Sequence, residues 1–199
     1  MDESSTEEKI KEAARKVFMK KGKTGSRMQE IADQAGINKA LLHYYYRSKD
    51  QLFNAIFEEL LAGFMPQLFA VLNSDVPLEV KVYQATEKYI TFLSVHKELP
   101  LFILGEIQQN PARLAERMQV KKSRFSVLDL QLKEEISAGK LRPVSLEMFI
   151  MNMISLLVFP FVSRELFQHI MDLEEDQFDH FMEERKKAVP KFFMDALRT

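Results

Sequence analysis

Apolar residues recur at helical spacing along most of this chain, and strand-like alternation is scarce. Ile10, Ala13, Ala14, Val17 and Phe18 fall at i, i+3, i+4, i+7 and i+8, one face of a first helix. Ser5 with Glu8 is placed to cap its start, and Gly22 and Gly25 to end it. Met28, Ile31, Ala32 and Ala35 repeat the spacing behind Ser26-x-x-Gln29, which reads as a capping box. Gly36 ends that second helix, Asn38 suits an N-cap, and a short third helix is predicted over about Lys39 to Tyr46. Ser48-x-x-Gln51 caps a fourth, striped by Leu52, Phe53, Ile56, Phe57, Leu60, Leu61 and Phe64, with Pro66 expected to kink or end it.

A turn-like Asn73-Ser-Asp-Val-Pro77 precedes a fifth helix, about 78–96, and Pro100 separates it from a short apolar piece, Leu101 to Ile107. Asn110-Pro111 is expected to open one long helix reaching Ala138, with Gly139 as its stop. Ser145 opens the next, a Met/Phe-rich segment to about Phe167. A last helix follows the acidic stretch Asp172–Asp176, with Phe178, Phe181, Met182, Val189, Phe192 and Phe193 on one side and Pro190 as a bend. The fold class is therefore all-α, about nine helices: a small three-helix unit at 1–47 and a larger helical unit at 48–199.

Composition narrows the function. The 199 residues include no Cys, which excludes disulfide scaffolds, cysteine metal sites and thiol chemistry. Net charge is −1, so no global field attracts a polyanion. The charge is uneven, however: residues 1–49 carry 11 Lys/Arg against 7 Asp/Glu, and residues 50–199 carry 17 against 22. A basic head on an acidic body confines any polyanion contact to the head. The acidic, polar N-terminus is unlike a signal peptide. The longest uncharged apolar run, Met148 to Ser163, is short for a membrane span and reads better as a buried helix. A cytoplasmic protein without membrane contact is expected.

The second helix, the Gly36 turn and the third helix have the length and spacing of a helix-turn-helix. Ile31, Ala32, Ala35, Ile37, Leu42 and Tyr46 form its inner contacts. Lys39, Ala40, His43, Tyr44 and Arg47 then face outward, where donors and rings suit phosphates and base edges.

Residues 9–53 resemble the N-terminal domain of the TetR family of bacterial transcriptional regulators. The Ile31-Ala32 pair, the Ala35-Gly36 turn, the aromatic run ending the third helix and the Ser48-Lys49-x-x-Leu52 entry to the fourth all fall at the family spacing. The resemblance implies that Lys39 and Lys49 hold phosphates, that Ser26 and Arg27 contact the DNA backbone, and that Tyr44 and Tyr45 contact backbone or bases. Two departures bear on the operator. Ala40 and Leu41 stand where the family usually has Gly and a small polar residue, and His43 where it usually has Tyr. Ala40 or Leu41 suits a thymine methyl.

The family further implies a homodimer on double-stranded operator DNA, with the last two helices forming a four-helix interface. Met153, Phe159, Phe181 and Phe192 are the expected contacts there. The 11 Met and 16 Phe serve the core first, but a Met/Phe-rich cavity also suits a small hydrophobic ligand. Phe64, Tyr83, Tyr89, Phe102 and Phe125 are its expected wall. No cofactor and no metal is expected: Glu165/His169 and His180/Glu184 have i, i+4 spacing, which is also that of ordinary helix pairs. Phosphate-binding glycine loops, nucleophile elbows and zinc-protease motifs are missing from the sequence, so an enzyme is not expected. The reading is a ligand-responsive repressor. The alternative is a helical ligand-binding or interaction protein that does not bind DNA.

Overall fold

The computed structural model describes residues 3–97, 99–109, 111–118 and 120–199. Two expected caps, the side chain of Ser5 and residue Asn110, lie outside what is described. Among the described residues there is no strand, only one isolated bridge between Leu141 and Arg198. Close contacts divide the chain into two compact units, residues 1–63 and 64–199, with the boundary inside one helix.

The first unit holds α1 (Glu3–Gly25), α2 (Met28–Ala35), α3 (Lys39–Tyr45) and the first half of α4 (Lys49–Leu72). Gly22 interrupts α1 with φ 65° and ψ 169°, a conformation that a Cβ would strain. Gly36 ends α2 in the left-handed region, its N–H returning to the Ala32 and Asp33 carbonyls. That tight turn lets α3 start three residues later, at Lys39. Asn38 caps α3 by accepting from the Leu41 N–H at 2.8 Å. Ser48 caps α4 by accepting from the Gln51 N–H, and the Gln51 side chain accepts from the Arg47 N–H in return. The α2 cap sits one residue later than expected: Arg27 is the N-cap, and its N–H meets the Glu30 carboxylate. The core of this unit joins Ile10, Ala14 and Phe18 to Ile31, Ala32, Leu42, Leu52 and Phe57, all buried, and Phe18 meets Phe53 edge to face at 4.9 Å. The first unit extends beyond the three short helices because Leu52, Phe53, Ile56 and Phe57 of α4 close that core.

The second unit continues α4 and adds α5 (Leu78–Val95), α6 (Leu99–Gln109), α7 (Pro111–Arg117), a 3₁₀ turn (Lys122–Phe125), α8 (Ser126–Ser137), α9 (Leu146–Val162), α10 (Arg164–Met171) and α11 (Glu175–Leu197). α4 runs through Pro66 to Leu72 rather than ending there. It is long and apolar enough to cross a bilayer by length and composition alone, but Leu61, Met65, Phe69 and Val71 are buried within the protein. α11 packs along α5, and α9 touches α5, α6, α8, α10 and α11.

Two long helices expected from the pattern are broken. The segment after Pro111 splits into α7, the 3₁₀ turn and α8. In an unbroken helix Val120 would lie about 120° round the cylinder from Leu114; the break lets both face one cavity with Phe125. The segment after Ser145 bends by 69° at Ser163, whose hydroxyl donates to the Phe159 carbonyl. The expected nine helices are thus eleven and a 3₁₀ turn among the described residues.

Pro160 leaves a further trace inside α9. Proline has no N–H, so the carbonyl four residues earlier, that of Leu156, loses its helical donor. Arg185 of α11 supplies a replacement: its guanidinium donates to the Leu156 oxygen at 2.7 Å.

Candidate DNA-contact surface and ligand cavity

The two candidate sites lie in different units and are built from different chemistry. In the first unit, helical spacing turns Leu42 inward and leaves Lys39, Ala40, Leu41, His43 and Tyr44 exposed on α3. Tyr44 is 74% exposed and meets the half-buried Tyr45 edge to face at 5.5 Å. A large ring so open to water on a seven-residue helix packs no core of its own protomer.

Apart from Lys9, exposed on α1, and Lys49, the described cations of this unit fall into two sets. Along α1, Lys11 and Arg15 pair with Glu59, Lys16 with Glu12, Lys21 with Glu30 and Lys23 with Asp50. Burial works against the Glu59 carboxylate, but hydrogen bonding from Lys11 and the charge of Arg15 outweigh it and hold its pKa below the ordinary range. Around α2 and α3, Arg27, Lys39 and Arg47 make no ion pair among the described residues. The charge left for an external anion is therefore concentrated at the helix-turn-helix.

Two expected contacts have internal tasks. Ser26 is buried, and its hydroxyl donates to the Gly22 carbonyl at 2.6 Å, so it fastens the turn instead of facing outward. Lys49 spends two of its three ammonium protons on the Ser26 and Thr24 carbonyls, at 2.9 and 3.2 Å. Arg47, expected to face outward, is exposed just beyond the end of α3.

Tyr46 closes the back of this unit. It is almost fully buried, and its hydroxyl donates to the Glu7 carboxylate at 2.7 Å. That bond lowers the Glu7 pKa, while burial raises that of the phenol.

In the second unit a cavity of about 290 Å³ lies among α4, α5, α7, α8 and α9. Met65, Phe69, Leu114, Leu128, Phe149 and Leu157 typify its apolar wall. Tyr89 and Phe125, both expected there, line it. Phe64 stands one ring behind, edge-on to Tyr89 at 5.3 Å and stacked on Phe92 at 4.1 Å. Tyr83 and Phe102 are not in the wall; Tyr83 instead borders a charged groove with Glu87, Glu183 and Lys187. Burial alone pushes the Tyr89 phenol up to about 12, which keeps it neutral.

Met153, expected at a dimer interface, also lines the cavity and is buried in the single chain. It lies on the inner face of α9, so it leaves the interface set. Phe159 and Phe192 are about two-thirds exposed, and Met151 and Ile154 are exposed on the same helix as Phe159. Phe181 is half-buried, stacked against Phe167 at 6.0 Å. The pattern missed one wall residue of different character, Lys81. Its spacing, i+3 from Leu78 and i−4 from Ala85, does put it on the buried face of α5, but its charge argued for solvent.

No group of three or more His, Asp or Glu side chains able to hold a metal occurs among the described residues. His180 and Glu184 form an exposed pair at 3.6 Å.

Residues 10–56 match the family model of bacterial regulatory proteins, tetR family. The chain is 24% identical over 174 residues to the probable HTH-type transcriptional regulator YttP of Bacillus subtilis, covering 85% of this chain and 84% of that one. Its fold is similar to that of HlyIIR, a hemolysin II transcriptional regulator, with a TM-score of 0.65 at 23% identity over 100% and 99% of the two chains. It is similarly close to FadR of Bacillus subtilis in complex with stearoyl-CoA: TM-score 0.65, 17% identity, 94% and 96% covered.

Proposed function

Because the chain belongs to the tetR family of bacterial regulatory proteins and is a transcriptional regulator, we propose that it is a cytoplasmic, homodimeric repressor released from operator DNA by a hydrophobic small molecule. α3 enters the major groove, with Lys39, Ala40, Leu41, His43, Tyr44 and Tyr45 as its contact set. Arg27 and Arg47 flank it on the phosphates. A twofold dimer presents two such helices, so the operator is a palindrome with half-sites about 34–36 Å apart or a multiple of that. Phe159 and Phe192, apolar and open to water in one chain, are the interface contacts; Phe181 stands beside them.

The observation that carries the ligand half of this reading is the division of labour along α4. Leu52, Phe53 and Phe57 belong to the core of the first unit. Met65, Leu68, Phe69 and Leu72 of the same helix line the cavity of the second. A ligand that displaces the 65–72 half therefore acts on the helix that carries the head. FadR, a protein of the same fold, is known with stearoyl-CoA bound, in keeping with an acyl-type ligand here. Typical couplings of about 1–3 kcal/mol change affinity roughly 5–150-fold, and linkage requires DNA to weaken ligand binding by the same factor.

The test is a salt-controlled mobility shift with DNA upstream of the protein's own gene, followed by ligand titration with and without that DNA. Absence of specific binding at every salt concentration would favour a ligand-binding protein that has left DNA. Tighter ligand binding with operator present would make the ligand a co-repressor.

A further inference from the structure

Among the described residues, one charged side chain lines the cavity in the second unit, Lys81. Only 1% of Lys81 is exposed. Its backbone N–H closes the first turn of α5 on the Pro77 carbonyl, but its ammonium makes no ion pair or hydrogen bond among the described residues. Asp75, exposed on the preceding turn, acts on it only at longer range. Burial dominates and lowers the lysine pKa, with Asp75 opposing. The side chain is buried along its length while the ammonium keeps a slight contact with solvent, and a nearly apolar wall with one cation favours a ligand that brings a single counter-charge to it.

Building on the reading of this cavity as the ligand site, we propose that its ligand is a monoanionic amphipathic acid whose carboxylate pairs with Lys81 and whose alkyl chain lies against the apolar wall. Two features set the class. One ammonium neutralises one negative charge; a phosphate-bearing head group would leave further charge against Phe, Leu and Met side chains. The cavity, about 290 Å³, lies just below the range of roughly 300–1,000 Å³ usual for small-molecule sites. It fits a mid-length alkyl chain. Met65, Met118 and Met153 in the wall adapt to the position of an unbranched chain.

The experiment is calorimetric titration of the full chain at neutral pH with decanoate, 1-decanol and decanoyl-CoA, each kept below its aggregation threshold. Lys81→Met and Lys81→Arg are titrated alongside after a melting curve confirms that they fold. The expected result is decanoate binding at least tenfold tighter than decanol to the natural protein. Lys81→Met should abolish that preference, and Lys81→Arg should restore most of it. Equal affinities for the acid and the alcohol on the natural protein, a comparison that needs no variant, overturn the carboxylate assignment and leave the cavity reading standing. Unchanged decanoate affinity in Lys81→Met overturns it as well. Decanoyl-CoA binding more tightly than decanoate overturns the single-charge head group. Failure of all three compounds to bind removes the cavity as an acyl site, and this proposal with it.

Discussion

The ammonium of Lys49 donates to the backbone carbonyl of Ser26 at 2.9 Å, tying the first turn of α4 to the turn that precedes α2. A residue that the family pattern marks as a phosphate contact is thus also a strut. The two roles separate experimentally. Lys49→Ala should lower head stability by about 1 kcal/mol, the net worth of such hydrogen bonds, and weaken DNA binding with little change in salt slope. Lys39→Ala should leave the melting curve unchanged and reduce the salt slope by about 1 per half-site. An unchanged melting curve together with a shallower slope for Lys49→Ala would return Lys49 to the phosphate set.

The Tyr46–Glu7 bond predicts a pH signature. Its donor lowers the Glu7 pKa in the folded state, so the stability it contributes is full above the unfolded value of about 4.3 and is lost as pH falls through the folded value. Tyr46→Phe should destabilise by no more than about 1.5 kcal/mol at pH 7, since Glu7 is partly open to water. The gap between the two proteins should shrink on acidification. Denaturant titrations at pH 7 and pH 3 measure it, and a gap that widens in acid contradicts the assignment.

The outer and inner faces of α9 make opposite predictions for the same chemical change. Phe159→Asp places a charge on an exposed site. It should yield a folded monomer by sedimentation with loss of specific DNA binding. Met153→Asp buries a carboxylate in the cavity wall that also holds Lys81. It should lower the melting temperature of the chain, and by less than Met153→Lys, which places a second cation there. Wild-type mass and operator affinity for Phe159→Asp would move the interface elsewhere.

Arg185 and Pro160 should be energetically coupled. Arg185→Met leaves the half-buried Leu156 carbonyl without its donor, a loss of about 1 kcal/mol. Pro160→Ala restores the helical N–H that Leu156 lacks. In that background Arg185→Met should cost measurably less. Additive losses in the double variant would show that the guanidinium and the proline act independently.

Much of the head was legible because its determinants are local. Gly36 needs a positive φ, and Asn38 and Ser48 cap with their own side chains, so neighbouring residues specify the geometry. The periodic placement of Leu42 against Lys39, His43 and Tyr44 follows from helix geometry alone. The α2 cap was misplaced by one residue for a local reason too: the Ser26 hydroxyl had a better acceptor in Gly22, across the turn.

That the chain is helical, where its basic head lies and which family it resembles are all legible in the residues alone, since periodicity, capping and charge are encoded within a few positions of each other. Which way the long helices break depends on the assembled fold, because Val120 and Phe125 turn toward a cavity whose other walls come from distant segments. Met153 and Phe159, six positions apart, lie about 120° round one helix, and the fold decided which of the two faces inward. It also decided that Lys81 is buried and Tyr83 half-open, against the bias of their side chains. Burial is a property of neighbours brought together by folding, and periodicity states only which residues share a face, not what that face meets.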